Sequence, residues 1–521
     1  MLVGMLALGV YSSTLSAFPS WDSLRHAADM TLGRPAGLAG GHHLAGGLFV
    51  YGLQCLAQRA GLLLEPLRVL QQTSACFAAI CLGSLYALLR TSGASVGVAA
   101  FVALGLGSSR AFWEAATDGE VYAVAAALLV VAWWGTLFAP RTLAGAAGAG
   151  AVAALAILGH QCTAVLALCS PFWFWRRERS FPFALTYVMS CGAVAACGYL
   201  LAWWVSGWGQ NGAALYKWLT LYLRLGFHFP PSNRILGAAQ GFVMSMVFPP
   251  GPFATFAGPG WGLRWAAMGL VLAAVASVWA VGLTSAWQTG PGAPGRLIVL
   301  VAFGTGALAS WWEPNTGKFW VPALVCSWLA IGIGLARRPI ISPTAVAAMA
   351  LALAVINTGG ILPRTGVAFN PLPSAARQIA QATAPGDLII TSTDILGPSL
   401  AYYGARPHVT NLFALALEAR YRNRDVQQQL LGAVAAARQR QAAAFIASDA
   451  LALPSDRRRL VPALPGTLRE LVSPMQLRQA FTYTIGQRQH TLFEIVDPAP
   501  QGAPKAVRSG VCDPPQEHHR P

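Results

Sequence analysis

The chain has 521 residues, of which 55% are hydrophobic and only 10% charged, against a usual charged share of about 25%. This excludes a soluble globular domain and a disordered chain alike, and the mean hydropathy of +0.51 agrees. The formal charge is +16, from 35 basic and 19 acidic residues. Lysine occurs only at Lys217, Lys318 and Lys505, so the excess is arginine, which in a membrane chain sets topology and touches phospholipid rather than nucleic acid.

A membrane span needs about 20 mostly apolar residues. Charge-free runs near that length lie at 1–18, 69–89, 94–109, 121–139, 143–159, 161–175, 182–205, 266–287, 297–312, 319–336 and 339–356. They predict a mainly α, polytopic membrane protein of about eleven transmembrane helices. Ala17-Phe18-Pro19 is a poor cleavage site, so the first run is expected to stay as a helix. Residues 143–175 would reach about 50 Å as one helix, too long for a hydrocarbon core of about 30 Å. Two spans turning at Gly159-His160-Gln161 fit better. Segments 43–58 and 232–250 are apolar but upset the alternation of crossings; they are expected to lie in or dip into the outer face. Arg90, Arg141, Arg176, Arg177, Arg179, Arg296, Arg337 and Arg338 flank spans and mark the cytoplasmic side.

Beyond residue 357 the apolar runs stop. Helices are expected at 374–384, 395–403 and 423–441, and strands at 387–391 and 443–447. This alternation predicts a small α/β domain over 358–497, outside the membrane, after a transmembrane domain over 1–357. Residues 498–521 are Pro-, Gly- and Gln-rich and expected to be disordered. Eight of the nine cysteines lie in apolar stretches, and no C-x-x-C occurs, which argues against a zinc site or redox pair.

On this topology the ionisable turn residues collect on one face. They are Asp22 with His42 and His43, then Asp118, Glu120 and Tyr122, then His160. Lys217 and Arg224 follow on one helical stripe, and Glu313 and Lys318 close the set. Each has a plainer reading: Asp22 as a helix cap, Asp118 and Glu120 at the positive end of a helix, His160 as a turn residue, Glu313 and Lys318 as each other's partners, Lys217 and Arg224 as snorkelling cations. The plainer readings do not explain why all fall on one face. A transporter or flippase of lipid-linked sugar or polysaccharide is the alternative; it should carry inverted repeats and mid-membrane polar groups.

Trp21-Asp22-Ser23 just after the first span, and Phe112-Trp113-Glu114-Ala115-Ala116-Thr117-Asp118-Gly119-Glu120-Val121-Tyr122-Ala123, resemble motifs of the GT-C superfamily of membrane glycosyltransferases, in its protein O-mannosyltransferase-like branch. Gly159-His160-Gln161 resembles a later histidine motif of that branch. Where the branch has His-Pro-Pro-Gly-Tyr-Pro, this chain has Gly41-His42-His43-Leu44-Ala45-Gly46. The resemblance implies a GT-C-like fold and transfer of a sugar, hexosyl or mannosyl, from a polyprenyl-phosphate donor to a hydroxyl acceptor on a protein or glycan. Arginine- and alanine-rich, lysine-poor usage suggests a bacterial inner membrane, and on the topology above the active site and C-terminal domain lie on its periplasmic side. The resemblance also implies Asp22 as general base, with Asp118 and Glu120 orienting the acceptor or Asp22 and Glu120 holding a divalent cation, Mg or Mn. His42, His43, Tyr122, His160, Lys217, Arg224, Glu313 and Lys318 are then substrate-binding, and the other partners are membrane lipids.

Overall fold

The structure is a computed structural model that describes residues 1–39, 44–207, 211–225, 231–248, 261–288, 294–337, 342–392, 396–412, 415, 425–451 and 475–496. The chain begins with α1 (Leu2–Ser13), α2 (Trp21–Thr31), the short α3 (Pro35–Leu38) and α4 (Leu44–Arg59). Next come α5 (Pro66–Thr91), α6 (Val96–Ser108), α7 (Arg110–Thr117), α8 (Tyr122–Phe138) and α9 (Leu143–Gly159). Then follow α10 (Ala164–Glu178), α11 (Phe181–Ser206), α12 (Gly212–Leu225), α13 (Pro231–Met246) and α14 (Trp261–Trp287). The apolar part closes with α15 (Pro294–Trp312), α16 (Val321–Arg337) and α17 (Pro343–Thr365). Hydroxyl caps start several of them: Ser20 before α2, Ser95 before α6, Thr142 before α9 and Ser342 before α17 each accept from a first-turn N–H.

A helix falls on each apolar run. By length and composition, six among the described residues are able to cross a membrane, or seven if the bent pair α6 and α7 is one span. The runs at 1–18, 121–139 and 143–159 yield shorter helices, because the chain turns into polar loops at Thr14, Ala139 and His160. Within the segments at 43–58 and 232–250, the described residues include α4 and α13.

The axis of the bundle is α16. In its most apolar stretch 94% of residues are buried, against 11% for α11, which keeps most of its side chains at least partly exposed. Small residues let α14 close on α16: a Cβ on Gly334 would lie 2.2 Å from the Gly282 carbonyl oxygen. Close backbone approach of this kind is how helices gain packing where there is no water to drive them together. The α6–α7 pair bends by 69° at Ser109. Such a bend strands helical carbonyls, and here the buried Asn357 of α17 donates to Ser108 O at 2.6 Å.

After α17 come α18 (Leu372–Ala382), β1 (Leu388–Thr391), α19 (Leu396–Tyr403), β2 (Val409–Asn411), α20 (Val426–Gln439), β3 (Ala444–Ala447), β4 (Gln476–Ile485) and β5 (Arg488–Val496). The sheet order is β2-β1-β3-β5-β4, with β1 parallel to β2 and β3, and the β4–β5 hairpin antiparallel to β3. Phe18, from the loop between α1 and α2, packs on one core of this unit with Leu372, Ile389 and Leu400. The unit therefore sits against the same loop that leads to Asp22. The expected disordered tail, 498–521, lies outside the described residues.

Candidate active site

Asp22 falls in the first turn of α2, where the helix dipole favours a carboxylate. Its Oδ2 accepts from Lys318 Nζ at 2.6 Å, and the same ammonium donates to Glu120 Oε1 at 3.2 Å. Lys318 lies in the 3₁₀ turn Gly317–Trp320 that feeds α16, so the most buried helix delivers the cation. Glu120 lies in the loop between α7 and α8. That loop turns at Gly119, whose φ is +84° and where a Cβ would come within 3.2 Å of Gln71 N.

One helix holds both loops. From α5, Gln71 donates to Ser16 O at 2.7 Å, and Ser74, three residues on, donates to Glu120 O at 2.9 Å. The Asp22 and Lys318 side chains keep 18% and 25% of their surface, while Glu120 keeps 5%. Solvent therefore reaches the first two, and Glu120 backs them. Burial raises the Glu120 carboxyl above its ordinary range; Lys318 pulls it down and Asp22 pushes it up.

Aromatic groups wall this centre. His160 is fully buried, and its Nδ1 accepts from Cys162 N–H at 3.1 Å, capping the turn after α9. Burial, aided by the Lys318 charge, lowers its pKa to about 3, so the ring is neutral. It lies 4.9 Å from the Tyr122 ring, and the Lys318 ammonium lies 5.7 Å from that same ring, within cation–π range. Glu313 adds negative charge near Lys318.

The structure thus brings Asp22, Glu120, Lys318, Tyr122 and His160 together, with Glu313 nearby. Asp118 turns the other way: its Oδ2 accepts from Arg364 Nη2 at 2.8 Å. Arg364 also bridges to Glu114, which in turn meets Arg110 Nε at 3.2 Å. Burial first, with help from Glu114 and Glu120, lifts the Asp118 pKa to about 7 although Arg364 opposes it. Asp118, with Glu114, thus belongs to a second cluster and does not share Lys318. Lys217 and Arg224 are on α12, but their side chains lie outside the described residues, as do His42 and His43 altogether.

Two residues without a sequence-based assignment belong here. His26 lies one helical turn beyond Asp22, which is the signal that identifies it. It is buried, and burial lowers its pKa to about 4 against the pull of Asp22. Arg364 lies two turns along α17 from Asn357, so a polar stripe on an otherwise apolar helix marks it.

Asp22 and Glu120 supply the hard oxygen donors a divalent cation takes. As arranged they do not fit one, because the Lys318 ammonium already lies between them. Among the described residues no group of three His, Cys, Asp or Glu side chains is placed to hold a metal.

The sequence matches no family model and no curated protein. Among solved structures it is similar to ArnT from Cupriavidus metallidurans bound to undecaprenyl phosphate, at 14% identity and a TM-score of 0.40, over 97% of this chain and 99% of that one. ArnT in the apo state gives 14% identity and a TM-score of 0.39, over 95% and 97% of the two chains. The arabinofuranosyltransferase AftD from Mycobacteria gives 14% identity and a TM-score of 0.48, over 96% of this chain but 40% of that one. All three likenesses are distant, and none bears on what this chain does.

Proposed function

We propose that the chain is a GT-C-type membrane glycosyltransferase that moves a sugar from a polyprenyl-phosphate donor to a hydroxyl acceptor on the extracytoplasmic side. The observation that carries this reading is one ammonium, Lys318, shared by Asp22 and Glu120 at the mouth of an apolar helix bundle. The motif resemblance around Asp22 and Glu120 points the same way.

In this reading Lys318 has two partners in turn. It holds Asp22 before substrate arrives and turns to the donor phosphate when the lipid binds, because charge-assisted pairing with phosphate is strong. Asp22 then accepts the proton of the acceptor hydroxyl. The acceptor oxygen bonds to the anomeric carbon as the bond from that carbon to the phosphate oxygen breaks. The electron pair leaves on the polyprenyl phosphate, which Lys318 stabilises. Glu120, buried behind, keeps the ammonium in place. Tyr122 and His160, both buried, back the Lys318 ammonium with neutral rings. Lys318 supplies the positive charge a divalent ion would otherwise bring.

The lipid tail needs an apolar channel ending at Lys318. A cavity of about 420 Å³ runs between α13, α14, α15 and α16, lined by Phe242, Trp279, Phe303 and Trp320 among others. Trp320 belongs to the same turn as Lys318, while Phe303 keeps 67% of its surface and leaves the cavity open to the outside of the bundle. Eleven crossings, with the arginine-flanked ends in the cytoplasm and both the site and the sheet unit on the opposite side of a bacterial inner membrane, complete the proposal. The donor is identified by supplying the protein in lipid with a panel of radiolabelled polyprenyl-phosphate sugars and a membrane extract as acceptor. Transfer from one donor supports the reading; no release or transfer from any donor by folded protein contradicts it.

A further inference from the structure

Arg364 is the last basic residue of α17 and stands where the apolar bundle gives way to the sheet unit. Its guanidinium holds two loops at once. Toward the α7–α8 loop it pairs with Asp118 Oδ2 at 2.8 Å and with Glu114. Toward the α1–α2 loop it donates to Phe18 O at 3.3 Å. Its own carbonyl accepts from Ala17 N–H at 2.7 Å, and Asn370, a few residues on, donates to Ala17 O at 2.9 Å. Asp118 is two residues from Glu120, and Phe18 is four residues from Asp22. One planar cation therefore fixes the spacing of the two strands of chain whose carboxylates share Lys318. The planar fork matters, because a lysine offers a point charge and cannot reach both loops in this geometry. Phe18 carries the tie further, since its ring packs on the core of the sheet unit.

We infer that Arg364 is a positioning residue that sets the distance between the Asp22 and Glu120 loops and couples the seating of the sheet unit to the transfer centre. This rests on the reading of Asp22 and Lys318 given above. Arg364 does not contact the Asp22–Lys318–Glu120 pairs; it acts through the two loops.

The test uses the full chain in lipid, with Arg364→Gln and Arg364→Lys beside wild type and Asp22→Asn. Turnover is expressed per folded molecule, and kcat is separated from the KM for the lipid donor. Arg364→Gln is expected to lower kcat by about 100-fold, the cost of a small misplacement of reacting groups, with KM for the donor little changed. Arg364→Lys is expected to fall between Arg364→Gln and wild type. Hydrogen exchange is expected to rise in Arg364→Gln at residues 14–22 and 117–122, and to stay as in wild type across α16. A purely structural role would lower the yield of folded protein, leave kcat per folded molecule unchanged and raise exchange throughout, and this overturns the inference. Unchanged exchange in both loops also overturns it. If Asp22→Asn keeps full turnover, the base assignment fails instead, while the exchange data still decide whether Arg364 clamps the loops.

Discussion

At the scale of single residues the centre depends on keeping charge where it is used and excluding it elsewhere. Lys318 carries charge between two carboxylates, while His160 beside it is neutral because burial holds its pKa near 3, well below the ordinary 6.5. An unfolded chain would take up a proton at that histidine below about pH 6.5, so His160 contributes stability that is complete above that pH and is lost as pH falls toward 3. Asp118, raised from 3.8 to about 7, works in the opposite sense over much of the same window, losing stability as pH rises. A variant isolates the first contribution. His160→Asn keeps a side chain able to cap the turn but does not titrate. Its thermal midpoint is expected to drop less than that of wild type between about pH 7 and about pH 5; an equal drop would show that His160 is not the group responsible. Asp22, Glu120 and His160 stood out in the sequence because they are polar residues at the ends of apolar runs. That Asp22 and Glu120 pair with Lys318 did not. Glu313 was the nearby candidate in sequence, and only the fold brings Asp22 to the ammonium, across 296 positions of chain. Arg364 lies beyond the apolar run at 339–356, and only the polar stripe it shares with Asn357 marks it.

At the scale of elements the loop from α7 to α8 is the critical piece. Its turn relies on Gly119 at φ +84°, packed against Gln71 and Leu70, whereas Gly93 at φ +92° faces open space. Gly119→Ala is expected to cost about 1–3 kcal/mol from backbone strain together with contact and to reduce turnover, because Glu120 follows directly. Gly93→Ala shares the strain but not the contact and is expected to leave turnover unchanged. Equal effects of the two on turnover would show that the Gly119 turn does not position Glu120. The apolar helices were legible because lipid-facing and core-facing residues are alike apolar, so length alone identifies them. The bend at Ser109 was not, since it depends on Asn357 reaching Ser108 O from a distant helix. In the sheet unit, β1 and β3 are fully buried four-residue strands and read plainly as apolar runs. The β4–β5 hairpin is only sparsely buried, mixes Arg and Gln with its apolar residues, and carried no such signal.

At the scale of the whole molecule the account requires that the site and the sheet unit share one side of the membrane and that the arginine-rich turns lie on the other. Single cysteines at Arg141, whose side chain is 71% exposed, and at Gln487, in the exposed β4–β5 turn, test this with a membrane-impermeant maleimide on intact and opened cells. The account expects Gln487→Cys to be labelled from outside and Arg141→Cys only after opening. Labelling of both from one side would overturn the topology and the common face of the site with it.

The central claim is that Asp22 and Lys318 form the transfer centre. It is tested most directly by single-turnover transfer from a radiolabelled polyprenyl-phosphate sugar with wild type, Asp22→Asn and Lys318→Gln, each checked for folding. The account predicts that Asp22→Asn slows transfer by about 100-fold or more while still binding the donor, and that Lys318→Gln loses both transfer and donor affinity. Transfer at the wild-type rate by folded Asp22→Asn would contradict it.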